Sequence, residues 1–173
     1  MRLVALTGLP RSGKDTVAAF LAGHYFNRLA FAEPLKQAAA ILLGRPVGEM
    51  NGDNGFDREA VLPEWGFTTR DFLRRFGTEA MRNNFGEDFW LKHMRNRLTG
   101  VHGKYVITDC RFPNEAALVR DLGGIVVEIV RPGCVKSNHA SDAGAGLPDV
   151  LIFNDGTLED LRRQVDSLAA ATR

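Results

Sequence analysis

The chain has 173 residues, 45% of them hydrophobic and 25% charged, and a formal net charge of +1. That size and composition fit one ordinary soluble domain able to bury a core. The near-zero charge argues against a nucleic-acid polymer or an anionic membrane as main partner, so any attraction for phosphate must be local.

In chain order, the apolar run Leu3-Val4-Ala5-Leu6 predicts a strand that runs into a glycine loop, with no secretory signal before it. Residues 14–24 then predict a helix with Val17, Ala18, Phe20 and Leu21 on its apolar face. Arg28-Leu29-Ala30-Phe31 is a weaker strand. Pro34 opens a second helix through Leu43, and Gly44 stops it. Residues 45–68, rich in Gly, Asp and Asn, read as an irregular insertion. A third helix follows Thr69, with Phe72, Leu73, Phe76 and Ala80 on one face, and a fourth spans about 87–98. Tyr105-Val106-Ile107-Thr108 is the next strand. Pro113 starts a fifth helix that ends at Gly123-Gly124. The run 125–130 is a strand, 132–148 is irregular, and Val150-Leu151-Ile152-Phe153 is the last strand. Thr157 and Asp160 form a capping-box start for a final helix striped by Leu158, Leu161, Val165 and Leu168.

Most of these strands are continuously apolar, as strands buried on both faces are. Strands alternating with helices predict an α/β fold: a parallel five-stranded sheet with helices on both faces, within one domain spanning 1–173. No apolar run reaches the roughly 18 residues that cross a bilayer. The cysteines, Cys110 and Cys134, make no disulfide framework, which fits a reducing cytoplasm. The four histidines lack zinc-ligand spacing.

Chemistry concentrates in Gly8-Leu9-Pro10-Arg11-Ser12-Gly13-Lys14-Asp15-Thr16, a phosphate loop between a strand and a helix. The glycines let backbone N–H groups turn inward, the helix N-terminus adds positive potential, and Lys14 can bridge the β- and γ-phosphates. Asp15 stands where Ser or Thr usually meets magnesium, and Thr16 follows. Either can hold the ion, directly or through water. Asp109 ends the strand at 105–108 like a Walker B carboxylate, and a third candidate metal residue is therefore Asp109. Residue 110 is Cys rather than a water-activating Glu, which favours transfer to an acceptor other than water. Arginine forks suit phosphate oxygens. Arg11, Arg70, Arg74, Arg75, Arg82, Arg111 and Arg131 are available, and Arg111 lies just past a strand's C-terminal end, where open α/β sheets bind ligands. On an α-helix, Arg75 and Arg82, seven apart, share a face, as do Arg70 and Arg74.

Together these stretches resemble the bacteriophage-type deoxynucleoside monophosphate kinases, P-loop proteins of the NMP-kinase-like fold. The resemblance rests on Arg11-Ser12-Gly13-Lys14-Asp15-Thr16, on Phe76-Gly77-Thr78-Glu79 followed by Asn83-Asn84-Phe85 and Phe89-Trp90, on Asp109-Cys110-Arg111, on Arg131-Pro132-Gly133 with Ser137-Asn138-His139, and on Asn154-Asp155-Gly156 through Leu161. Residues 45–68 match less well and look shorter than in longer members. The resemblance implies ATP and Mg²⁺, a dNMP acceptor, and location in the host cytoplasm if the chain is phage-encoded. A homodimer is compatible with it. It implies that Arg11, Gly13, Lys14, Asp15 and Thr16 hold ATP, with Asn154 and Asp155 near the adenine. It implies that Leu35, Lys36, Thr78, Arg82, Trp90 and Arg111 face the monophosphate, Trp90 by stacking on the base, and Arg70 is a further substrate-binding candidate from the arginine set. Lys14, Asp109, Arg111 and Arg131 would act on the transferring group. Residues 131–147 would form a short lid bringing Arg131, Lys136 and His139 over the phosphates. The alternatives are a P-loop kinase of another phosphorylated metabolite, of the phosphomevalonate or dephospho-CoA type, and an NTP-hydrolysing switch protein. Residue 156 is Gly, which does not match the guanine signature of GTPases.

Overall fold

A computed structural model describes residues 1–135 and 144–172. The chain forms two compact units, residues 1–30 with 97–173, and residues 31–96.

In the first unit five parallel strands are ordered β2-β5-β1-β6-β7. They are β1 (Arg2–Thr7), β2 (Phe26–Leu29), β5 (Lys104–Ile107), β6 (Ile125–Val130) and β7 (Val150–Phe153). Strand β1 is central, and its residues 3–7 are all buried, which is why it reads as an unbroken apolar run. Val4 and Leu6 point into a core shared with Val106, Val127, Ile129 and Ile152. Helices α1 (Lys14–Gly23) and α8 (Leu158–Ala171) close that face with Val17, Leu21, Leu161 and Val165. Helix α7 (Pro113–Asp121) packs on β1 and β6 and buries Ala116 and Val119. Thr157 caps α8: its Oγ1 accepts from the Asp160 amide at 3.2 Å, and its own N–H donates to Asp160 Oδ2 at 2.9 Å. The predicted strand at 28–31 is displaced. Strand β2 begins at Phe26, because Phe26 and Leu29 are the residues buried against the sheet.

The second unit holds α2 (Glu33–Leu43), α3 (Val47–Asn51), the hairpin β3 (Val61–Leu62) with β4 (Phe67–Thr68), α4 (Thr69–Arg74), α5 (Asn83–Phe85) and the start of α6 (Phe89–Leu98). Its core joins Ala39, Ala40, Leu43, Met50 and Leu62, with Phe56, Phe67, Phe72 and Leu73 around them. The stretch expected to be irregular thus contains a short helix, a 3₁₀ turn at Asp53–Gly55 and an antiparallel hairpin. Met50 and Leu62, two apolar residues in a polar segment, are what it buries.

The third predicted helix also differs. After α4 the coil widens into a π-helical stretch, Arg75–Arg82, in which the Asn83 N–H reaches back five residues to the Thr78 carbonyl. Seven positions are then not two turns, so the helical-face pairing of Arg75 with Arg82 does not hold. Ala80 is exposed rather than on the apolar face.

Candidate active site

Because β1, β5, β6 and β7 are parallel, their C-terminal ends open on one edge of the sheet. The registers Ala5↔Ile107, Thr7↔Glu128 and Val130↔Phe153 bring four strand ends together. Strand β1 runs into Gly8, β5 into Asp109 and Arg111, β6 into Arg131, and β7 into Asn154 and Asp155.

The phosphate loop follows β1. Gly8 has φ 130°, and a Cβ there would lie 2.5 Å from the Ile129 carbonyl oxygen. Gly13 has φ 107°, and a Cβ there would lie 2.5 Å from Asn154 Nδ2. Both positions therefore need glycine, for backbone conformation and for space. Arg11, a non-glycine, also takes a left-handed φ of 63°. Two strand ends hold the loop in this shape: Asn154 Nδ2 donates to the Ser12 carbonyl at 2.8 Å, and Arg131 Nη1 to the Arg11 carbonyl at 3.4 Å. The Lys14 ammonium lies across the loop, donating to the carbonyls of Gly8 at 2.8 Å and Leu9 at 2.7 Å. Ser12 Oγ is buried with no hydrogen-bond partner among the described residues. A buried hydroxyl without a partner costs about 1–3 kcal/mol, so it fits a loop shaped for an anion that supplies the missing bond.

Of the candidate metal residues, Asp15 is exposed and its carboxylate lies 3.2 Å from Arg28 Nη2 on β2, while Thr16 and Asp109 are half-buried. No group of three His, Cys, Asp or Glu side chains gathers among the described residues. Oxygen donors few in number suit Mg²⁺, which keeps waters and binds largely through substrate phosphates. Cys110 between Asp109 and Arg111 is buried, and burial pushes its thiol far above the ordinary range. It serves as packing.

The segment carrying Asp109 and Arg111 is anchored by Glu115. This buried carboxylate accepts from the Arg111 N–H at 2.7 Å and the Phe112 N–H at 3.2 Å, from the first turn of α7. The sequence holds the signal, Pro113 at the helix start and Glu two residues later, which supplies the carboxylate half of a capping box, Phe112 at the cap having no side-chain acceptor to complete it. Glu115 was absent from the expected set, as were Arg28 and Ser12.

In the second unit Lys36 Nζ donates to Asn51 Oδ1 at 3.0 Å. Arg70 Nε lies 3.2 Å from Glu59 Oε1, and Arg74 Nη2 lies 2.8 Å from Asp71 Oδ1. That bond to Arg74 holds the Asp71 carboxyl below its ordinary range. Thr78 is exposed and Arg82 half-buried. Trp90 is buried at 8% exposure, and its Nε1 donates to the Gly77 carbonyl at 3.0 Å. Of the expected lid, Lys136 and His139 lie outside the described residues. Arg131 is exposed at the end of β6.

The family model described as deoxynucleotide monophosphate kinase matches residues 49–165. A putative deoxynucleotide monophosphate kinase of Acanthamoeba polyphaga mimivirus is 30% identical over 185 residues, covering 96% of this chain and 95% of that protein. The deoxynucleotide monophosphate kinase of Enterobacteria phage T4 is 26% identical, with 93% and 95% covered. Among solved structures, TT1252 from Thermus thermophilus matches with a TM-score of 0.56 at 16% identity, covering 99% of this chain and 97% of its own. Shikimate kinase from Aquifex aeolicus matches at 0.50 and 12% identity, covering 99% and 96%. These structures share the fold. A phosphate loop at the end of a central parallel strand, an arginine-bearing edge beside it, and similarity along nearly the whole length lead to one assignment: the chain belongs to the deoxynucleotide monophosphate kinase family.

Proposed function

We propose that the protein transfers the γ-phosphate of ATP to a deoxynucleoside monophosphate, giving ADP and the diphosphate. The observation that carries this is the loop at residues 8–16. Its backbone is held open by Asn154 and Arg131, its Ser12 hydroxyl is buried without a partner among the described residues, and its Lys14 ammonium lies across it. The triphosphate tail would take the Ser12 hydroxyl and draw Lys14 from the Gly8 and Leu9 carbonyls onto phosphate oxygens. The loop N–H groups and the α1 N-terminus would hold the remaining charge.

Arg11 and Arg131 supply further positive charge at that edge, and Asp155 stands beside Asn154 for the nucleoside. Arg111, held by Glu115 through its backbone, is the arginine assigned to the transferring phosphoryl group. Mg²⁺, when bound, would neutralise β- and γ-oxygens, held by Asp15, Thr16 or Asp109 directly or through water. The acceptor's phosphate and base are assigned to Leu35, Lys36, Arg70, Thr78, Arg82 and Trp90. No covalent intermediate is needed, since positioning and charge neutralisation supply the rate.

The test is ADP release measured with each of the four dNMPs, with phosphomevalonate, with dephospho-CoA and with no acceptor. Turnover only with dNMPs is the expected result. Turnover with another metabolite alone, or steady hydrolysis without acceptor, would overturn the proposal.

A further inference from the structure

The π-helical stretch Arg75–Arg82 is a rare conformation, of a kind frequently found at functional sites. It is secured locally. The Asn84 side chain donates to the carbonyls of Glu79 and Ala80, each at 2.9 Å. A glycine inside a helix costs about 1 kcal/mol relative to alanine, so Gly77 needs a reason of its own.

Two contacts give one. The Gly77 carbonyl accepts the Trp90 indole N–H at 3.0 Å in a buried setting. A Cβ on Gly77 would lie 2.9 Å from Leu35 Cδ2, so the missing side chain is the seat of Leu35. The edge of one ring against the face of the other at 4.9 Å and 88° further ties Trp90 to Phe89. One residue thus fixes two side chains from two other helices, α2 and α6.

We infer that Gly77 is a positioning residue for the acceptor base. Its carbonyl sets the orientation of the Trp90 ring and its bare α-carbon sets the position of Leu35, so the aromatic base of a nucleoside monophosphate meets an apolar pair arranged before it binds. This rests on the proposal that Leu35 and Trp90 face the monophosphate. A role in stability alone makes a different demand: it would affect both substrates equally.

The chain has two tryptophans, so Trp65→Phe leaves Trp90 as its sole indole. In that protein, at least one of the four dNMPs is expected to quench the Trp90 fluorescence. Adding Gly77→Ala displaces Leu35. It should raise the KM and the fluorescence Kd for that dNMP about tenfold, the equivalent of one well-placed contact, while leaving the KM for ATP within about twofold. Trp90→Phe keeps a ring but removes the donor, and it should raise the dNMP KM in the same way. It covers the case in which Gly77→Ala does not fold. Parent-like dNMP affinity in both variants would overturn the inference, as would equal losses for ATP and dNMP. Turnover without any quenching in the parent would instead remove Trp90 from the acceptor site, and the inference with it.

Discussion

The phosphate loop and the arginine-rich helices of the second unit, proposed above to meet the donor and the acceptor, are held by different physics. The loop is fixed from far away in sequence. Asn154 is 142 positions from Ser12, Arg131 is 120 from Arg11, and Gly8 and Gly13 admit no side chain. On the second unit's helices, Arg74 and Arg75 are held by neighbours within a turn or two, on exposed surface: Arg74 by Asp71 and Arg75 by Glu79. Interactions of the first kind are set by the register of the sheet. Those of the second kind contribute little and exchange readily. An enzyme can use both: a rigid cradle for the donor and adjustable cations for the acceptor.

The comparison predicts its largest effects on the cradle side. Lys14→Ala or Arg111→Ala should lower kcat roughly 10³-fold or more with the fold intact, because in the proposed mechanism each removes charge that stabilises the transferring group. Steady-state rates beside a far-UV circular dichroism spectrum check this. Parent-like turnover in either variant would remove that residue from the mechanism. Next comes Gly13→Ala, which must both strain a φ of 107° and displace Asn154. It should raise the KM for ATP roughly 100-fold, since misplacement by about 1 Å carries that scale of loss. Asn154→Ala frees the Ser12 carbonyl but leaves the backbone unstrained, and should cost about tenfold in the same KM. If Asn154→Ala proved worse than Gly13→Ala, the loop would owe its shape to the side chain and not to the glycines.

The same contrast explains what could be read from the sequence. Strands β1, β5 and β6 were legible because burial leaves apolar runs, and α2, α7 and α8 because Gly44, Pro113 and the Thr157–Asp160 pair mark helix ends, whereas β2, with exposed Asn27 and Arg28 between Phe26 and Leu29, carries no such run and was placed two residues late. Asn154 beside the loop was legible as a position but not as a bond to Ser12, because that depends on the register of β7 with β6. Residues 45–68 hid a hairpin and a helix, since their core signal is four scattered residues, Met50, Phe56, Leu62 and Phe67, with no helical or strand period. The π stretch was illegible because its sequence has ordinary helical spacing. The departure shows in the backbone, where the Asn83 N–H reaches the Thr78 carbonyl, and accompanies the tertiary contact between Gly77 and Trp90.

On the second unit's surface, Arg74→Ala should change the dNMP KM by no more than about twofold, since the guanidinium is exposed and its partners are exposed carboxylates. A tenfold rise would show that this arginine leaves Asp71 for the acceptor phosphate.

The smallest expected effect separates the two units by acid. Asp160 at the start of α8 accepts from Thr157 Oγ1 and N–H and from Arg163, and these bonds lower its pKa from 3.8 to about 2, the Thr157 hydroxyl contributing most. A folded value below the unfolded one adds stability that is fully present above pH about 4 and is lost as pH falls through about 2. Asp160→Asn should therefore lower Tm slightly at neutral pH and flatten the acid dependence of Tm between those two values. Asp71 is lowered too, by Arg74, but sits in the other unit. If the chain unfolds as one cooperative body, Asp160→Asn and Asp71→Asn each flatten part of a single acid transition. If the units unfold separately, each variant alters its own transition and leaves the other unchanged. Calorimetric scans of the two variants from pH 2 to 5 read that difference directly.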